Sequence, residues 1–410
     1  MRRLPTPAIA ILGAAAAACA PACPDAPGPV SAAAVAPPER LLVQLDAAAA
    51  SEAPGLRERM ASNPMSYFRA INRAFNDVVC DEWPEASRGS PVVGLHGDAH
   101  FEQYAVAADG RGLADFDEAA LGPAIVDLAR FATSLHLAAP DAASASASVA
   151  AFLDGYAATL RDPRFEVPEP TLARRAREAF APSLSAWLAE VDAMIQPADV
   201  AERSAERAML EAYAVKMRRF RPDLDTSFFK VKNGGRLVAG IGSARQRKYL
   251  VRVEGPTPSP DDDVIMEAKE ASSEPLGKCL QSTGSAALRS VVGEARFGGG
   301  PDRLLGVARI EGKLYSSHAW RAHYRELAAS DVRSGAELAE IGRDAGAQLG
   351  RHHPELLAGP FAEALREELV ELVAGVRPSL DARARALAAR VVAAWKRFRA
   401  APLAGSPAAR

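Results

Sequence analysis

The chain has 410 residues, with 49 Lys and Arg against 51 Asp and Glu and a formal net charge of −2. That length buries a large core and suits one two-lobed unit or two domains. The balanced charge gives no basic excess, which argues against nucleic acid as a partner.

Met1-Arg2-Arg3 precedes an apolar stretch from Ile9 to Ala18, and Cys19 follows. A basic start, a short apolar run and small residues at its end read as a secretory signal. The run is too short for a permanent membrane-spanning helix. Ala16-Ala17-Ala18-Cys19 is also a loose lipobox without the usual leucine. Cleavage near residues 19–23, a lipid tether on Cys19, and a start at Met60 or Met65 all stay open. The expectation is a leader over 1–23 and an Ala- and Pro-rich tether over 24–50. A functioning leader puts the protein in the cell envelope; otherwise it is cytoplasmic. Only Cys80 and Cys279 belong to the body of the chain. They lack metal spacing and are expected as buried free thiols, with a single bridge open for an exported chain.

Two short polar runs come next. Val92-Val93-Gly94-Leu95 leads into His96-Gly97-Asp98-Ala99-His100, and Gly112-Leu113-Ala114 leads into Asp115-Phe116-Asp117-Glu118. Short apolar runs bounded by glycine and acids predict buried strands ending in polar loops. Neighbouring strands of this kind would bring Asp98 and Asp115 to the mouth of one cleft. One acid can orient or deprotonate a hydroxyl there, and the other can hold a metal on a phosphate. Each residue alone is an ordinary turn former, so the combination carries the reading. Asp127 then lies in an apolar helical pattern and is expected to tie that helix to the first loop. His96 is expected to pack and hydrogen-bond within the same loop.

From Asp141 to Phe220 the pattern is helical: Phe152, Tyr156 and Leu160 recur at fours, as do Leu172, Ala176 and Phe180. Strand-like runs follow. Arg236–Ser243 and Lys248–Val253 flank a turn whose Gly240 and Gly242 would let the main chain approach phosphate oxygens. Val264–Ala271 is a third strand with Lys269 near its end. A buried strand lysine needs an anion. The helix Ala286–Phe297 offers Glu294 as its partner, with Glu270 and Glu274 as rivals. Asp302–Trp320 reads as two strands whose far end would link two lobes, and Ala336–His353 reads as a closing helix. Adjacent His352 and His353 point too far apart to chelate together, and no zinc motif occurs.

The first polar run, a strand, Asp-Phe-Asp, a glycine turn and an Asp-Leu-Ala helix together resemble aminoglycoside and choline kinases. More narrowly, GDAH, DFDEA, the Gly122-Pro123 pair, DLARFATSL and the distant Lys269-Glu270-Ala271, with an entry helix from Met60 to Phe75 that contains Asn63 to Arg69, resemble the bacterial domain-of-unknown-function 2252 family. The resemblance covers about residues 55–355. It implies an α+β, protein-kinase-like two-lobed fold. The acid loops precede the lysine strand, and Ile341–His353 resembles the helix that usually stands before the first loop. The expected fold is therefore circularly permuted: 51–225 a helical large-lobe part with both acid loops, 226–325 a small β-rich nucleotide lobe, and 326–400 helices completing the large lobe. Permutation costs little where termini lie at the surface.

The roles implied by the resemblance are specific. Asp98 is the catalytic base or hydroxyl-orienting acid that addresses the acceptor. Asp115, Asp117 and Gln103 hold Mg²⁺; Lys269, positioned by Glu294, and the backbone at Gly240 and Gly242 hold ATP. Gln103 departs from the family pattern, which has asparagine there, and Ala70 replaces the expected glycine after Arg69. The implied function is ATP- and magnesium-dependent phosphoryl transfer to an unidentified small-molecule or protein hydroxyl. The alternatives are an inactive nucleotide-binding pseudokinase, which Gln103 favours, and nucleotidyl transfer on the same fold.

Overall fold

The computed structural model describes residues 38–42, 55–86, 89–197, 230–237, 246–255, 257–271, 276–298, 304–310 and 312–401, with scattered positions between 203 and 223. All belong to one unit, Pro37–Arg410. The leader, most of the tether, Gly240, Gly242 and Glu274 lie outside the described residues. Among the described residues no helix is long and apolar enough to cross a membrane.

Three helices open this unit: α1 (Leu56–Ser62), α2 (Pro64–Ala70) and α3 (Asn72–Glu82). Asn63 starts α2 by accepting the Ser66 amide at 2.8 Å, with Pro64 set at the first helical position. Strand β1 (Val92–Leu95) pairs antiparallel with β4 (Ala120–Pro123). Between them, β2 (Tyr104–Ala107) and β3 (Gly110–Leu113) form a hairpin. Asp98 thus follows β1 and Asp115 follows β3, each on the loop beyond a short buried strand.

Helices α4 (Ile125–Ala138), α5 (Ala142–Arg161), α6 (Thr171–Glu178) and α7 (Leu184–Met194) follow. Every residue of α4 from Ile125 to Leu135 is buried, as suits a helix at the centre of a helical layer. Strands interrupted by one helix come next: β5 (Ile195–Pro197), β6 (Val231–Leu237), β7 (Lys248–Val253), β8 (Val264–Glu270), helix α8 (Ala286–Phe297), β9 (Gly306–Ile310), β10 (Lys313–Ala319) and β11 (Arg325–Glu326). Helix α9 (Gly335–His352) and the long α10 (Pro360–Ala400) close the chain. The architecture is mixed α+β. One six-stranded antiparallel sheet runs β5-β6-β7-β8-β10-β9, and β11 adds an edge to the β2–β3 hairpin.

The stretch from Asp141 to Phe220, expected to be helical, contains β5. It pairs Ile195 with Leu237 at the sheet edge. Three residues carry no readable period, so this strand exists through its partner. The sheet otherwise obeys strand alternation. Tyr249, Val251 and Val253 of β7 pack with Met266, Ala268 and Tyr315 in one apolar cluster. Leu250 and Ile265 pack with Trp187, Leu188 and Val191 of α7 in another. Helices α5 and α9 approach closely because α9 carries Gly346; a Cβ there would stand 2.0 Å from the Phe152 carbonyl oxygen.

A buried carboxylate joins these parts. Asp127, fully buried in α4, accepts the His96 amide at 2.7 Å and the Gly97 amide at 2.9 Å. It also accepts His353 Nε2 from the end of α9 at 3.1 Å. Tyr156 of α5 then bonds His353 Nδ1 at 2.8 Å. The expected tie between α4 and the first loop is present, and it extends to two further helices. Asp127 is lowered below the usual carboxylate range: burial opposes ionisation, but His353 and the His96 amide outweigh it.

Cys80 and Cys279 form a disulfide, which corrects the expectation of free thiols. Tertiary contacts bring them together. Gln281 makes an isolated antiparallel bridge with Leu121. The Lys278 amide binds Asp77 at 2.7 Å and its ammonium binds Asp81 at 2.6 Å, both on α3. The bond spans 199 residues of sequence, so no local pattern announces it.

Two outcomes are expected. Reduction should lower stability by about 2–4 kcal/mol, because a long loop is released in the unfolded chain. Denaturant unfolding with and without reductant measures this, and equal midpoints would exclude a stabilising bond. Acid should also weaken the fold early. Burial lowers the proton affinity of His96, His100 and His353, so all three stay neutral in the folded chain. The unfolded chain protonates them near about 6.5. Stability is therefore intact above that pH and falls as pH drops below it. His100→Leu should flatten the fall; an unchanged slope counts against His100 as a contributor.

Candidate active site

A cleft of about 620 Å³ opens between the six-stranded sheet, the Asp115 loop and α7. Lys248 and Lys269 line it from β7 and β8, where they stand directly opposite each other. Like charges opposed across strands destabilise a sheet unless an anion offsets them. Here the anions are the loop acids. Lys269, 6% exposed, pairs with Asp115 at 3.0 Å and closely with Asp117. Burial alone would raise Asp115, but Lys269 and then Lys248 hold it well below the usual carboxylate range.

The loop's own sequence explains this placement. Phe116 between the two acids is buried, stacks on Phe297 at 5.4 Å and packs on His96 at 4.9 Å. That anchors the loop while both flanking acids meet Lys269. Asp115 has φ 61, and His323, also in the lining, has φ 59. Non-glycine residues rarely adopt this left-handed region, and such strain gathers at functional sites.

Asp98 stands beside this cleft rather than in its lining. Gly97 precedes it with φ 82, and a Cβ there would lie 1.8 Å from the Glu118 carbonyl oxygen. Only glycine fits this turn. Asn72 and Asn76 donate to the Gly97 carbonyl at 3.0 and 3.2 Å. The fully buried Arg130 donates through Nε to Asp98 at 2.5 Å and lies 4.2 Å over the Phe68 ring. Burial pushes the Asp98 carboxyl up to about 6 against the opposing pull of Arg130. His96 spans the two acid loops: Nε2 donates to the Ala114 carbonyl at 3.1 Å, and Nδ1 accepts the Asp98 amide at 3.4 Å. That network requires the neutral ring with its proton on Nε2.

The structure brings Asp115, Asp117, Lys269 and Glu294 into one cleft. It differs from expectation over Lys269. The ion pairs of this lysine run to Asp115 and Asp117 rather than to Glu294. Two carboxylates on one loop attract the ammonium more than a single helix carboxylate does. Glu270 instead pairs with Lys313 at 2.6 Å. Asp117 also accepts the Ser290 hydroxyl at 2.9 Å, which docks α8 on the acid loop. Gln103 is buried and outside the cleft lining. Its carbonyl accepts the Ala114 amide at 2.9 Å, and its side-chain oxygen has no hydrogen-bond partner among the described residues. Among the described residues no group of three or more His, Cys, Asp or Glu could hold a metal ion. His352 bonds Glu355 while His353 bonds Asp127, so the two do not act together.

Four further groups belong to the site. Arg130 is one, and its signal was a charged residue three positions from Asp127 on an apolar helix. Lys248 is the second; its role depends on strand register. Arg69 lines the cleft and pairs with Glu102 at 3.1 Å and Glu326 at 3.8 Å. Glu326, raised by burial, accepts the Tyr324 hydroxyl at 3.0 Å. Phe180, Trp187, Leu237 and Trp320 also line the cleft, and Trp187, Leu237 and Trp320 belong to one apolar cluster.

No curated protein and no solved structure matches the chain. A family model described as an uncharacterized protein conserved in bacteria, domain of unknown function 2252, matches residues 50–167 and 171–401. The match takes in both acid loops, the lysine strand, α9 and all of α10. The chain is a member of the domain-of-unknown-function 2252 family.

Proposed function

We propose that the protein is an ATP- and magnesium-dependent phosphotransferase with a circularly permuted, protein-kinase-like arrangement, acting on a hydroxyl of a small molecule or protein. The carrying observation is the opposed pair Lys248 and Lys269 lining one cleft with Asp115 and Asp117, both of which pair with Lys269. Two lysines and two acids suit a polyphosphate with its cation: the lysines hold phosphate oxygens and the acids hold the metal. Magnesium is commonly bound by one or two carboxylates plus phosphates and water, so an acid pair is sufficient. When bound, it neutralises charge that develops on the transferred group. The apolar cluster with Trp187 and Trp320 in the lining suits a flat base, and the cleft volume falls in the range of small-molecule sites.

The other residues have definable tasks. Asp98, with its carboxyl raised to about 6, is ionised at neutral pH yet close enough to take a hydroxyl proton. Arg130 fixes its orientation, and His96 keeps its loop in register with Asp115. A permuted order is supported by His353, at the end of α9, sharing the Asp127 carboxylate with the Gly97 amide. The disulfide supports an oxidising compartment, in keeping with the leader and an envelope location.

A second reading, a nucleotide-binding module without transfer, draws on one observation. The Asp98 carboxylate is already engaged by a buried guanidinium, which competes with an acceptor hydroxyl.

Calorimetry with ATP and magnesium tests the cleft. Lys269→Ala and Asp115→Asn should each weaken binding by about tenfold or more, because each removes a charged partner. Asp98→Asn should keep binding and lose transfer. Unchanged binding in both cleft variants would show that the nucleotide site lies elsewhere. Transfer should also fall as pH is lowered through about 6, because protonated Asp98 cannot accept a proton. Intact-mass analysis of acceptor after incubation measures this. Binding without transfer at any pH would favour the module reading.

A further inference from the structure

A second cavity, of about 720 Å³, adjoins the cleft and shares Ala114, Arg321 and Tyr324 with it. One stripe of α9 lines it. Asp344, Ala347, Gln348, Arg351 and His352 follow three- and four-residue helical spacing. The hairpin β2–β3 and the segment from Pro163 to Val167 form other walls.

The charge in this cavity is lopsided. Arg111, Arg164, Arg321 and Arg351 face two acids, Glu166 and Asp344. Asp344 is already satisfied by Arg111 at 3.1 Å and by the Tyr104 hydroxyl. Arg321 reaches the exposed Asp109 at 3.4 Å. Arg351 makes no ion pair among the described residues and donates to the Phe165 carbonyl at 2.8 Å. A half-buried guanidinium without a counter-ion is poorly compensated, and its planar fork matches phosphate or carboxylate oxygens. Phe297 and Val167 supply an apolar wall nearby.

We propose that this cavity is a second ligand site, for a small organic anion. Arg351 holds its phosphate or carboxylate group, Arg164 attracts it at the mouth, and the apolar body lies against Phe297 and Val167. The site is placed to influence the cleft. Gln348 on the same α9 stripe accepts the Leu113 amide at 2.9 Å, and Leu113 stands two residues before Asp115. The proposal does not rest on the phosphotransferase reading.

Calorimetry of the full chain with phenyl phosphate and with benzoate tests it. Saturable binding of either probe is expected, and the better probe identifies the preferred anionic group. Arg351→Glu should weaken binding at least about tenfold, Arg351→Lys should weaken it less, and Lys269→Ala should leave it unchanged. Arg164→Glu, at a side chain 95% exposed, should fold normally and weaken binding. If Arg351→Glu does not fold, Arg164→Glu decides, and unchanged affinity in it overturns the proposal. Binding lost with Lys269→Ala but kept with Arg351→Glu would put the anion in the cleft and also overturn it. So would an absence of saturable binding of both probes.

Discussion

The Asp127 carboxylate is the constraint on which the rest depends. It is buried in α4 and receives two main-chain amides of the first acid loop and the imidazole of His353. A buried charge of this kind persists only while all its donors stay in place. It therefore couples four regions that are distant in sequence: the loop after β1, α4, α5 through Tyr156, and the end of α9. The turn at Gly97 is held by Asp127 from one side and by Asn72 and Asn76 from the other. Asp98 inherits its position from that clamp.

Electrostatic balance organises the cleft. Strand register places Lys248 opposite Lys269, which by itself opposes sheet formation. Asp115 and Asp117 offset that repulsion by pairing with Lys269 from the neighbouring loop, and Lys248 adds to the field that lowers Asp115. The result is a site whose charges neutralise one another at close range and whose members each suit a different part of a metal-bound polyphosphate. The strained backbone at Asp115 fits a residue held by its surroundings rather than by local preference. Arg130 plays the complementary part for Asp98. Its guanidinium, sandwiched near Phe68 and Phe75, offsets a carboxyl that burial alone would leave protonated to still higher pH.

The β2–β3 hairpin walls the second cavity, and the residues just beyond it, from Ala114 to Asp117, line the cleft. Ala114 borders both, and Gln348 and His96 each bond the main chain close to it. A change on the α9 side has a short covalent path to the acid loop. Arg321 and Tyr324 give a second shared wall, and Tyr324 bonds Glu326.

Much of this was legible in the sequence because the physics is local. Apolar runs ending in glycine and acids produced β1 and β3 with Asp98 and Asp115 on the loops beyond them. Period-two and helical patterns located β7, β8, α8 and α9, and Asp127 stood out as an acid on an otherwise apolar helix. The sequence could likewise mark Lys269 as a strand lysine in need of an anion. It could not choose that anion, because Asp117 and Glu294 are distant in the chain and only packing decides which one arrives. Lys248 opposite Lys269 depended on strand register, β5 on an edge partner, and Cys80 with Cys279 on contacts spanning 199 residues. Periodicity reports which face of a segment is buried; it carries no information about which distant segment buries it, and that was left to the tertiary structure.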